Sequence, residues 1–157
     1  MTQFAPKICF ASLLVLTGLV FSATAETLAV KQMEFKNNGG YVAVPIVGYR
    51  LAQGDRCYVF DKRHKKLTKN NSVTLNLWNN NNFVLESTSG KENTQCSDGE
   101  IPSGVEVWGA FFISAGENSQ CRKDKKLKLT GYGGKIRYRV GGTTQNGNRC
   151  KVSEWPD

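Results

Sequence analysis

Few side chains in this sequence are equipped for covalent chemistry. His64 is the sole histidine of 157 residues, set within Lys62-Arg63-His64-Lys65-Lys66. Serine-type nucleophilic catalysis needs a histidine to take the proton and a carboxylate to orient it, and a basic, solvated run offers no such acid. A ribonuclease built on two histidines is excluded by count. A histidine–glutamate pair would have to draw Glu86, Glu92, Glu100 or Glu106 to His64, and nothing in the spacing does so. Glu100 and Glu106 are the nearest acids for a two-carboxylate glycosidase, again without a spacing that selects them. Gly131-Tyr132-Gly133-Gly134-Lys135 imitates a phosphate loop, but that loop needs Ser or Thr after its lysine and a helix beyond. Here Ile136 follows, in a strand-like run. No cofactor or metal is expected.

What the chain does concentrate is positive charge. Its formal net charge is +8, which favours anionic surfaces without specifying one. Leu127 to Val140 reads as two strands joined by the Gly131–Gly134 turn, with Leu127, Leu129, Ile136, Tyr138 and Val140 on one face. The other face carries Lys126, Lys128, Lys135, Arg137 and Arg139, with Tyr132 as an amphipathic aromatic at the tip. This hairpin register sets Lys128 opposite Arg137 and Lys126 opposite Arg139. Like charges directly opposed in a ladder destabilise it, so an anionic partner would relieve the face. Replacing Arg137 or Arg139 is therefore expected to leave stability unchanged or slightly raised.

The elements that must position these residues begin after residue 25. Lys7, the apolar run Ile8 to Phe21 and Ser22-Ala23-Thr24-Ala25 have the order of a signal peptide, with cleavage expected between Ala25 and Glu26. Cleavage takes one cation and no acid, and residues 26–157 then form one domain. The apolar run is short for a membrane span, so no transmembrane segment is expected in the mature chain. A secreted protein is implied, or a periplasmic one in a bacterial source. Cys9 leaves with the leader, and Cys57, Cys96, Cys121 and Cys150 remain. An even count in an exported chain argues for two disulfides, and the absence of any C-x-x-C argues against zinc. Three pairings are possible. Cys121 and Cys150 flank the basic hairpin, which favours joining them across its mouth and leaves Cys57 for Cys96.

Along the mature chain, Thr27 to Lys36 reads as a strand turning at Asn38-Gly39 into a second strand, so that Phe35 faces Val42 and Met33 faces Val44. Pro45 lacks an N–H and marks an edge or a bulge. Arg56 to Phe60 is a short strand, and Val73 to Trp78 alternates cleanly. Asn79 to Asn82 is a turn expected to set Trp78 opposite Phe83. Ser87 to Pro102 is a long polar connection of the kind that carries function. Gly104 to Ser114 is apolar on both faces and reads as a central strand, with Trp108 in the core rather than in a membrane. No helical period survives after Ala25. The pattern predicts a single antiparallel β-sandwich or small barrel with two disulfides. Asn70-Asn71-Ser72 matches the glycosylation pattern once. No motif is diagnostic of a family.

Three functions compete. The first is a secreted, non-enzymatic binding or toxin-like protein docking its basic sheet face on phospholipid, acidic glycan or a similar anionic surface. The second is a secreted inhibitor or effector that grips a protein target, such as an enzyme, through the disulfide-held loop Ser87 to Pro102. The third is a small hydrolase using His64. The residues point to no specific nucleic acid, and the first reading uses the most of them.

Overall fold

A computed structural model describes residues 26–86, 96, 98–114, 119–121, 125–143 and 147–156. The expected signal peptide and most of the Ser87 to Pro102 connection lie outside the described residues. The described chain is all-β, with no helix. Ten strands run β1 (Thr27–Asn37), β2 (Ala43–Arg50), β3 (Arg56–Asp61), β4 (Ser72–Asn76), β5 (Phe83–Leu85), β6 (Glu106–Ile113), β7 (Ser119–Gln120), β8 (Lys126–Leu129), β9 (Gly134–Gly141) and β10 (Arg149–Glu154). They join one sheet in the order β10-β9-β1-β8-β6-β2-β3-β5, with β4 added to β1 and β7 to β6. The order does not close on itself. The sheet is mixed, not antiparallel throughout: β8 and β9 both run parallel to β1.

The inward faces of β8 and β9 are those the alternation predicts. Leu127, Leu129, Ile136, Tyr138 and Val140 are all buried, together with Val30, Met33 and Phe35 of β1. On β2, by contrast, Ala43, Val47 and Tyr49 join the core. Val42 and Val44, expected opposite Phe35 and Met33, stay half-buried because β2 pairs with β6 and not with β1. The Phe35 ring meets the edge of Phe111 from β6 at 5.2 Å and stacks on Tyr138 at 5.4 Å. Gly109 makes room for this packing, since a Cβ there would stand 2.6 Å from the Tyr138 ring. β6 is central, paired with β2 on one side and β8 on the other, and Trp108 is 1 % exposed. Both expected disulfides are present, Cys57–Cys96 and Cys121–Cys150.

The three expected hairpins are not formed. β8 and β9 do not pair with each other. β8 lies beside Thr27–Val30 and β9 beside Val30–Asn37, with a bulge in β1 between Val30 and Gln32. The chain crosses between them at Gly133, pressed on the β1 backbone so closely that a Cβ would sit 2.6 Å from the Ala29 carbonyl carbon. None of Gly131 to Gly134 takes a positive φ, so the tight hairpin turn their composition suggests is absent.

β1 and β2 likewise do not pair. Asn38 and Gly39 have negative φ, whereas a type I′ turn needs both positive. Instead the buried Asn37 side chain accepts from the Gly39 N–H at 2.8 Å and donates to the carbonyls of Tyr41 and Leu67 at 2.7 and 2.8 Å. That local turn sends the chain to pair with β6 and β3. Pro45 lies where β2 lacks a continuous second partner, between the Ala43–Leu67 bridge and the ladder starting at Val47. Asn79 does take a positive φ of 52°, but Phe83 comes opposite Asp61 on β3, not opposite Trp78. There the buried Asn80 amide binds the Asp61 carboxylate at 3.1 Å and the Asn76 carbonyl at 2.8 Å, which steers the turn away from β4.

Candidate anion-binding face

The outward residues of β4, β1, β9 and β10 fall into rows across the strands. In one row Glu34 on β1 is beside Arg137 on β9, which is beside Glu154 on β10. The Glu34 carboxylate accepts from Lys135 Nζ at 3.1 Å and from Arg137 Nε at 3.0 Å, and Arg137 also pairs with Glu154. Partial burial pushes the Glu34 carboxyl up, and the hydrogen bonds from Lys135 and Arg137 more than offset it, leaving it below its usual range. Two of the five predicted cations are thereby neutralised by acids that the expected hairpin did not contain.

The next row differs. Lys36 on β1 is beside Arg139 on β9, and Arg139 is beside Lys151 on β10. Neighbouring strands are about 4.8 Å apart, so the row sets three cations across roughly 10 Å. Arg139 and Lys151 are exposed and Lys36 is half-buried. No ion pair to these three is found among the described residues. Ser72 on β4 continues the row beyond Lys36. The Cys121–Cys150 disulfide fixes the strand that carries Lys151, one residue from the bridge.

The remaining predicted residues stand elsewhere. Lys126 and Lys128 are exposed on β8, beside Thr27 and Ala29. Lys128 also comes opposite Glu106. Lys36 lies seven positions beyond Ala29 on β1, roughly 20 Å along the strand. Tyr132 is 87 % exposed at the crossing. The structure thus groups Lys135, Arg137 and Arg139 and leaves Lys126, Lys128 and Tyr132 apart. Lys36 and Lys151 are not among the predicted contacts because the sequence pattern places one in a hairpin with β2 and the other in a tail. The alternation of Arg149, Lys151 and Ser153 against Cys150 and Val152 was an available signal for the second.

His64 borders a shallow open depression with Lys66, Asn70, Asn71 and Ser72. No carboxylate lines it among the described residues. Asp61, which accepts the His64 backbone N–H through its carbonyl at 2.9 Å, has its carboxylate occupied by Arg63 and Asn80. Glu106 lies 3.7 Å from Arg50. No described helix is long and apolar enough to cross a membrane.

No family model matches this sequence, and no curated protein does. Among solved structures the chain is similar to pneumolysin at 14 % identity and a TM-score of 0.40, over 81 % of this chain and 24 % of that one. It is similar also to the isolated membrane-binding domain of pneumolysin, with the same identity and TM-score, over 98 % of that domain. Listeriolysin O gives 15 % identity and a TM-score of 0.32, over 81 % of this chain and 22 % of that one. The chain therefore spans about a quarter of the full-length proteins it resembles.

Proposed function

We propose that this is an exported, toxin-like binding protein without catalytic activity, which docks the outer face of β1, β9 and β10 on an anionic partner. The observation that carries the reading is the row Lys36–Arg139–Lys151, three cations in register with no acid between them. Folding spends effort elsewhere to neutralise such charges, as Glu34 and Glu154 do one row away. Like charges held side by side across strands oppose the ladder, and an anion seated over them removes that opposition. Lys126 and Lys128 lie beyond the row and add to the positive field that draws an anionic partner in, and Tyr132 adds no charge. On this reading the sheet folds over into a sandwich around the Phe35–Phe111 contact, which gives the face a rigid support.

The test is retention of disulfide-intact protein on an anionic matrix at two salt concentrations. Lys36→Gln, Arg139→Gln and Lys151→Gln combined should weaken retention and flatten its salt dependence, since fewer counterions are released on binding. Lys126→Gln with Lys128→Gln should do much less. Unchanged retention in the triple variant would refute the reading.

A further inference from the structure

The row of cations does not stop at the sheet. Lys151, Arg139 and Lys36 lead in register to Ser72 on β4, and Ser72 also lines the depression that holds Lys66, His64 and Asn70. Asn70 is held at a φ of 66° and, like Ser72, is exposed. Four strands at about 4.8 Å apart give the track a length of roughly 14 Å before the depression begins. From this geometry, and resting on the docking reading above, we infer that the ligand is a linear acidic polysaccharide. It lies across the strands over Lys151, Arg139 and Lys36 and enters the depression past Ser72.

Three features select a sugar chain over a lipid surface. A flat bilayer meets the row but cannot follow it into a concavity, whereas a flexible chain can. Membrane-surface binding draws on buried apolar area as well as charge. Tyr132, the large apolar side chain most exposed among the described residues, belongs to the β8–β9 crossing and not to the row. Finally, the track leads from the three cations to hydroxyl and amide groups, Ser72 and Asn70, which donate and accept as sugar hydroxyls require. Sulfate or carboxylate groups on the chain match the cations, with Arg139 able to bind an oxyanion through two N–H groups at once.

Size-graded heparin oligosaccharides, from disaccharide to decasaccharide, are the probe, titrated into disulfide-intact protein at fixed salt. Affinity should rise with length and level off once the track is filled. Arg139→Gln with Lys151→Gln should weaken binding of every length, about fivefold per charge. Lys66→Gln with His64→Gln should weaken only the longer oligosaccharides and leave the disaccharide unchanged. Thermal melts confirm that these surface variants fold. Equal affinity for disaccharide and decasaccharide, or a depression variant that binds like the unaltered protein, would overturn the track while leaving the docking face standing. Tighter binding to phosphatidylserine vesicles than to the decasaccharide, compared per unit charge, would overturn the choice of partner. Binding of neither at low salt would overturn the docking reading itself.

Discussion

Single residues here behave according to the partner that folding gives them. Asp61 is 1 % exposed. Burial pushes its carboxyl up, but hydrogen bonds from the Arg63 guanidinium, the Arg63 backbone and Asn80 outweigh this and hold it at about 2, against an ordinary value of 3.8. A depressed carboxyl contributes stability above its unfolded value and loses it as the acid titrates in the fold. Stability should therefore fall between about pH 4 and pH 2, and Asp61→Asn should abolish that component while costing about 2 kcal/mol near neutrality. Urea unfolding at pH 6 and pH 2.5 measures both. Arg137 and Arg139 make a second contrast. The sequence-based hairpin implied that losing either relieves repulsion. With Glu34 and Glu154 beside it, Arg137→Ala should instead be mildly destabilising, while Arg139→Ala should be neutral or slightly stabilising. A loss of stability on removing Arg139 equal to that on removing Arg137 would mean that the row is neutralised after all.

At the scale of elements, the decisive feature is the crossing from β8 to β9 over β1. A parallel connection normally takes a dozen residues or more because the chain must travel back to the start of the next strand. Here β8 ends and β9 begins beside Val30, so Thr130 to Gly133 need only step across β1, against Ala29 and Val30. Any side chain at 133 meets backbone atoms, which cannot swing aside. Gly133→Ala should cost about 3 kcal/mol. Gly40→Ala, with nothing within 4 Å of its Cβ and no positive φ, should stay within about 0.5 kcal/mol. Denaturation midpoints compare the two, and a tolerated alanine at 133 would show that the crossing has slack. Gly131 has a milder constraint, its Cβ position 3.0 Å from the Trp78 ring.

For the whole molecule, one disulfide ties an end strand of the sheet order to its middle and the other holds a loop to a strand. Cys57–Cys96 anchors β3 to the long polar connection, and Cys121–Cys150 joins the segment after β7 to β10. Thiol labelling of denatured, unreduced mature protein should give no signal. Cys121→Ser with Cys150→Ser should lower stability by about 2–5 kcal/mol. It should also weaken anion retention, because Lys151 follows the freed cysteine. Full retention in that variant would show that β9 alone positions β10.

What neighbouring residues decide among themselves was legible in the sequence. Side chains alternate along any strand, so the inward set Leu127, Leu129, Ile136, Tyr138 and Val140 followed from the chain's local geometry, as did burial of β6 on both faces. The cysteine pairing also came out as expected, although the hairpin invoked for it does not exist. Turn composition announced reversals at Asn38-Gly39 and Gly131–Gly134, but composition cannot say which strand the next segment will join. That choice belongs to tertiary structure, because pairing is fixed by the total surface buried among distant residues. Asn37 reaches Leu67, the β1 bulge receives β8 and β9, and Gly133 crosses where only glycine fits. The charges obeyed the same division. Their facing outward was written in the alternation, whereas the strands that set Glu34 and Glu154 beside Arg137, and Lys36 and Lys151 beside Arg139, meet only in the folded sheet.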